Sequence, residues 1–170
     1  MDINSILIIA NIRCGGTYLM RSLSKTYKLR KVWEPGILLH SNSTVVKANA
    51  ASYSTKSLLE YSKSFTKVIL LDRKDKQAQL ESAIDMYTNN GIIDAKWKWK
   101  EDSYAAVTIK ESKSRINSHT VRIKELSRDL KLPITYYEDI YLYGEKLKDL
   151  IFNPDLSKKL RIKTNKKTLN

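Results

Sequence analysis

The chain has 170 residues, close to the roughly 150 of an average domain. Its 42% hydrophobic and 29% charged residues are ordinary for a globular protein and exclude a disordered or fibrous chain. Thirty-one Lys and Arg against eighteen Asp and Glu leave a formal charge of +13, so the expected partner is anionic: nucleic acid, an acidic membrane surface, or a phosphate- or sulfate-bearing small molecule.

The single cysteine, Cys14, excludes an intrachain disulfide framework, and the two histidines have no cysteine partner at zinc-binding spacing, so no metal is expected. The longest unbroken apolar run, residues 6–10, is far short of the roughly 20 residues of a membrane span. Asp2 stands where a secretory leader carries positive charge. These features predict a cytoplasmic protein that does not enter the membrane.

In chain order, Ser5–Ala10 is a continuously apolar, β-branched run that predicts a strand buried on both faces. Leu19, Met20, Leu23 and Tyr27 then recur at helical spacing, so the opening unit is strand, short loop, helix. Lys67–Asp72 repeats the strand pattern, followed by a helix with Leu80, Ala83, Ile84 and Tyr87 on one face. Residues 89–100, with Asn-Asn-Gly and alternating Lys and Trp, read as an irregular excursion. Ile109, Ile116, Ile123 and Leu130 stand seven apart with Leu126 alongside, which predicts one long amphipathic helix over residues 111–131. Heptad spacing admits a coiled coil, but so short a run favours a helix lying on its own sheet. Residues 133–137 (PITYY) predict a third strand and residues 145–152 its following helix. The division is therefore an α/β domain over residues 1–152, in three layers with a central parallel sheet, and a basic tail over residues 153–170.

Two places along this pattern carry chemistry. The first strand runs into Asn11-Ile12-Arg13-Cys14-Gly15-Gly16-Thr17-Tyr18 directly before a helix. Such a glycine bend lets successive N–H groups and the positive end of the helix dipole enclose an oxyanion. Arg13 adds a cation in a fork suited to phosphate or sulfate. No Lys precedes Thr17, so this is not the G-x-x-x-x-G-K-S/T loop of nucleoside triphosphatases. The plain alternative is a tight strand-to-helix turn. Lys67–Asp72 likewise ends in Arg73-Lys74-Asp75-Lys76, with Ser82 about two turns into the helix, a second anion site on the same sheet edge unless Arg73 and Lys74 are solvated charges closing the strand. Two such sites on one edge suit a ligand with an anionic group at each end.

Together these residues resemble a known family. Arg13-Cys14-Gly15-Gly16-Thr17 is similar to the R-S-G-S/T-T loop of sulfotransferases that use 3′-phosphoadenosine 5′-phosphosulfate (PAPS), with Gly16 where the family usually has Ser or Thr. Residues 73–82 resemble the R-R-D-K-x-A-Q-x-x-S segment of the bacterial trehalose-sulfotransferase branch, and Tyr137-Glu138-Asp139-Ile140 resembles its Y-E-D-L. The three motifs keep their order across residues 5–152.

The resemblance implies a P-loop-type fold and a sulfuryl transfer from PAPS to a hydroxyl of a carbohydrate or other small molecule, leaving 3′,5′-ADP, without a metal. It assigns Arg13, Cys14, Gly15, Gly16, Thr17 and Tyr18 to the 5′-phosphosulfate, and Arg73 and Ser82 to the 3′-phosphate. Arg13 would also hold charge on the bridging oxygen. Glu34, between Trp33 and Pro35, is the implied proton acceptor, with His40 its rival because histidine serves that role in the wider superfamily. Glu138 and Asp139 are implied to be architectural. Members of the branch continue where this chain ends in its basic tail, so an acceptor pocket completed by a second copy of the chain stays open. His119, between Ser118 and Thr120, reads as a surface residue, and Trp97 and Trp99 as loop anchors rather than a sugar platform. The competing classes are a basic nucleic-acid binder, for which an aromatic reading motif is missing, a small-molecule kinase, which the missing Lys disfavours, and a non-catalytic nucleotide-binding relative.

Overall fold

A computed structural model of the chain describes residues 3–33, 42–88 and 105–141. The elements follow as β1 (Ser5–Ala10), α1 (Gly16–Tyr27), β2 (Arg30–Trp33), β3 (Thr44–Asn49), α2 (Thr55–Ser62), β4 (Lys67–Asp72), α3 (Lys76–Thr88), α4 (Ala105–Leu130), β5 (Ile134–Tyr136) and α5 (Tyr137–Tyr141). The five strands pair in the order β2-β3-β1-β4-β5, every pair parallel.

Strand β1 lies at the centre with all six residues buried. Because successive side chains alternate between faces, Ile6, Ile8 and Ala10 meet Leu19, Met20 and Leu23 of α1, with Ile140 of α5 on the same side. Leu7 and Ile9 meet Leu58 and Tyr61 of α2 and Ile123 and Leu126 of α4 on the other. Each such side chain contributes about 1.5–3 kcal/mol on burial, and the result is the expected three-layer α/β architecture. Helix α4 lies on the sheet, as the non-coiled-coil reading requires, and starts six residues before the predicted 111. Among the described residues no helix is long and apolar enough to cross a membrane.

Strands β2 and β3 and helix α2 have no counterpart in the sequence pattern. Strand β2 has only four residues, two of them exposed cations, and Lys47 interrupts the apolar run of β3. The third strand is confined to Ile134–Tyr136, and α5 follows it without a loop. The helix expected over residues 145–152, the excursion over 89–100 with Trp97 and Trp99, and the tail over 153–170 lie outside the described residues.

The order places β1 at the point where the chain parts: β2 and β3 build to one side, β4 and β5 to the other. In open α/β sheets, ligands settle beyond the carboxyl ends of the strands at such a switch point. Both candidate anion loops leave the sheet there.

Candidate anion-binding site

Polar contacts fix the loop after β1 before it reaches the glycines. Asn11 is buried; its backbone N–H donates to the Leu71 carbonyl (2.9 Å) and its Oδ1 accepts from the Ile12 N–H (2.8 Å). Its Nδ2 donates to Asp72 Oδ1 (2.8 Å), Thr120 Oγ1 (3.0 Å) and the Ile116 carbonyl (3.2 Å). Gln79, fully buried in α3, donates from Nε2 to the Ile12 carbonyl (2.6 Å). With Ile12 gripped at both polar groups, the chain turns through two left-handed residues, Arg13 (φ 54°) and Gly15 (φ 77°). Helix α1 then opens with no side-chain cap and no acid in its first turn, a terminus that favours an oxyanion.

The two glycines do different jobs. Gly15 takes the left-handed conformation that other residues adopt only with strain. Gly16 is already helical and its role is close approach: a Cβ there would lie 3.1 Å from the Ala10 Cβ and 3.2 Å from the Lys47 Cε, tight enough that a neighbour would have to give slightly. This is a physical reason for glycine where the resembling family has Ser or Thr. Cys14 points away from the loop's open side. It is 1% exposed, and its Sγ donates to the Asn11 carbonyl at 2.8 Å, with the Leu71 carbonyl at 3.6 Å. Burial pushes the thiol up to about 12, against a smaller opposing pull from Lys47. Of Cys14, only the backbone is left for the loop's binding surface.

The second loop is organised around a buried carboxylate. Asp72 Oδ1 accepts from Asn11, from the Arg73 N–H (2.8 Å) and from Lys76 Nζ (2.6 Å), so it joins the ends of β1 and β4 to the start of α3. Asp75 caps α3 by accepting from the Ala78 N–H (2.8 Å). Glu138 accepts from the N–H groups of Lys74 (2.9 Å) and Asp75 (3.0 Å), while Asp139 pairs with Lys74 Nζ (2.6 Å). These contacts agree with an architectural part for both acids.

Arg73 departs from the picture of a solvated charge. Only 17% of its side chain is exposed, its guanidinium lies 4.6 Å from the centre of the Tyr137 ring, and its Nε is 3.6 Å from Glu138 Oε1. That Nε is shielded from solvent and finds no hydrogen-bond partner among the described residues. Ser82 receives the Nε–H of Arg13 at 3.0 Å, which brings the first loop into direct contact with α3.

Arg13, Gly15, Gly16, Thr17, Tyr18, Arg73 and Ser82 all line one cavity of about 420 Å³, a size within the range of small-molecule pockets. Arg21 and Tyr137 are the other described residues of the lining, and among the described residues no carboxylate belongs to it. Sequence reasoning missed both additions. Arg21 stands four residues after Thr17, on the same helical face, and that spacing was the available signal. Tyr137 was visible only as part of an architectural motif. Glu34 and His40 lie outside the described residues.

The floor of the loop corrects one expectation. His119 is buried, not on the surface, because Ile116 and Ile123, three and four residues away on the helix, set its face. Its Nδ1 accepts from the Ala51 N–H (3.0 Å). Burial first, then Lys47 and Arg115, push the imidazole down to about 4, so it is neutral near pH 7. Lys47, itself buried, was also missed. Its Nζ donates to Asn49 Oδ1 (2.9 Å) and lies 5.4 Å from the centre of the Trp33 ring. Among the described residues no group of His, Cys, Asp and Glu is arranged to hold a metal ion.

No protein-family model matches the chain, and no curated protein matches it in sequence.

Proposed function

We propose that the cavity takes PAPS and that the protein transfers its sulfuryl group to a hydroxyl of a small molecule, a carbohydrate being the preferred class, in the cytoplasm. What supports the reading is the convergence of two segments about 60 residues apart in sequence on one cavity whose described lining holds arginines and no acid. The Arg73 Nε, buried beside Glu138 and without a hydrogen bond among the described residues, is a donor of the kind an anionic ligand would satisfy.

In this reading the loop N–H groups and Arg13 hold the 5′-phosphosulfate, and Arg73 with Ser82 holds the 3′-phosphate. The nucleotide supplies an activated sulfuryl group whose bond to the bridging oxygen breaks as a bond to the acceptor oxygen forms. Glu34 accepts the acceptor's proton, and Arg13 with the start of α1 stabilises the charge that gathers on the departing oxygen. The protein contributes positioning and electrostatics, and the scheme calls for no metal.

The test is a thermal-shift and calorimetric comparison of 3′,5′-ADP, 5′-AMP, ATP with magnesium, and a short DNA duplex. The expected result is sub-millimolar binding of 3′,5′-ADP; at 100 times Kd it would stabilise the protein by about 2.7 kcal/mol. Equal affinity for 5′-AMP, or a response to the duplex alone, would overturn the reading.

A further inference from the structure

Among the described residues three arginines line the cavity, and the protein already engages two of them. Arg13 donates to Ser82, and Arg73 is stacked on Tyr137 beside Glu138. Arg21 is exposed, lines the same cavity, and forms no hydrogen bond or ion pair among the described residues. Helical spacing places it on the face that carries Thr17 and Tyr18, while Leu19, Met20 and Leu23 anchor the opposite face of α1 in the core. The helix is therefore rigidly seated, and the guanidinium projects from a fixed base.

Charge balance gives this placement a consequence. Glu138 offsets part of the charge on Arg73, whereas Arg21 has no acid paired with it among the described residues. A ligand with a single anionic group is served by Arg13 and the loop N–H groups. A second anionic group on the ligand meets a partly neutralised Arg73 and needs another cation.

We propose that Arg21 is a specificity-determining residue that makes the cavity prefer ligands bearing two anionic groups over ligands bearing one. This deepens, and rests on, the assignment of the cavity to a bisphosphorylated nucleotide. It concerns a residue to which the family motifs assign no part.

The test compares wild type, Arg21→Gln and Arg21→Lys by calorimetry at one fixed ionic strength, with 3′,5′-ADP, 5′-AMP and inorganic pyrophosphate as probes. Because Arg21 is exposed, an unchanged melting temperature certifies the fold of each variant. Arg21→Gln is expected to weaken 3′,5′-ADP by about tenfold or more, the worth of a charge-assisted hydrogen bond, and 5′-AMP by less than about threefold. Arg21→Lys is expected to recover part of the loss. An equal loss for both nucleotides, or no loss for either, overturns the proposal. Should wild type bind pyrophosphate yet not favour 3′,5′-ADP over 5′-AMP, the nucleotide assignment fails by itself. Arg21 is then judged on pyrophosphate: a tenfold loss in Arg21→Gln upholds it as the cation for a second anionic group, and no loss overturns it. Binding of none of the three probes overturns both.

Discussion

The two loops that meet at the cavity use the chain in opposite ways. After β1 the surface of the glycine bend is backbone, with the Arg13 guanidinium beside it: Ile12 is clamped at both polar groups, Gly15 turns through a left-handed conformation, and the Cys14 thiol is turned into the core. After β4 the backbone is tied down by Asp72, Asp75 and Glu138, and the side chains of Arg73 and Ser82 face the cavity. The first loop should therefore tolerate loss of the Cys14 side chain and fail when the backbone of its glycine bend is altered, whereas the second should fail on loss of the Arg73 side chain.

The largest expected effect falls on the tie between the loops. Asp72→Ala removes the acceptor shared by Asn11, the Arg73 N–H and Lys76, and should cost about 3 kcal/mol in urea unfolding. A loss under about 1 kcal/mol would mean that the loops are held independently. Next comes acid. His119 is neutral in the folded state down to about pH 4, whereas in the unfolded chain it takes up its proton near its ordinary 6.5. Its contribution is complete above that value and is lost as pH falls toward 4, by about 2 kcal/mol after allowing for partial solvation. His119→Asn, which keeps an acceptor for the Ala51 N–H, should flatten this slope. Arg73→Ala should weaken 3′,5′-ADP by about 30-fold, roughly 2 kcal/mol, with little change in melting temperature. Gly15→Ala should destabilise by about 1–2 kcal/mol, because a Cβ is strained at its φ of 77°. Least of all, Cys14→Ala should alter nucleotide affinity by less than about twofold, and the native thiol should resist a thiol reagent at pH 8, its pKa being raised to about 12. A large affinity loss in Cys14→Ala would erase the contrast between the loops.

Much of this was legible in the sequence where burial is two-sided. Strands β1 and β4 have the predicted limits because each is built on a short β-branched apolar run, residues 6–10 and 68–71, of the kind that suits a strand covered on both faces. The neighbouring β3 was not legible, since a lysine within six residues contradicts the pattern until Gly16, Asn49 and Trp33 are seen around it. His119 failed for a related reason: its sequence neighbours are hydroxyl residues, yet its packing neighbours are apolar ones a helical turn away. At the site, the motifs located the residues on the cavity wall but not their orientation. They counted Cys14 among ligand contacts, where its thiol faces inward, and passed over Arg21, whose part depends on which helical face the cavity borders.

The lysine stem packed beneath Gly16 has a corollary for substitution. With the Ala10 methyl on one side and the Lys47 chain on the other, a Cβ at position 16 obliges a neighbour to give by a few tenths of an ångström. The two positions are therefore coupled: shortening residue 47 relieves one of the two contacts, so the cost of a side chain at 16 should differ between the two backgrounds.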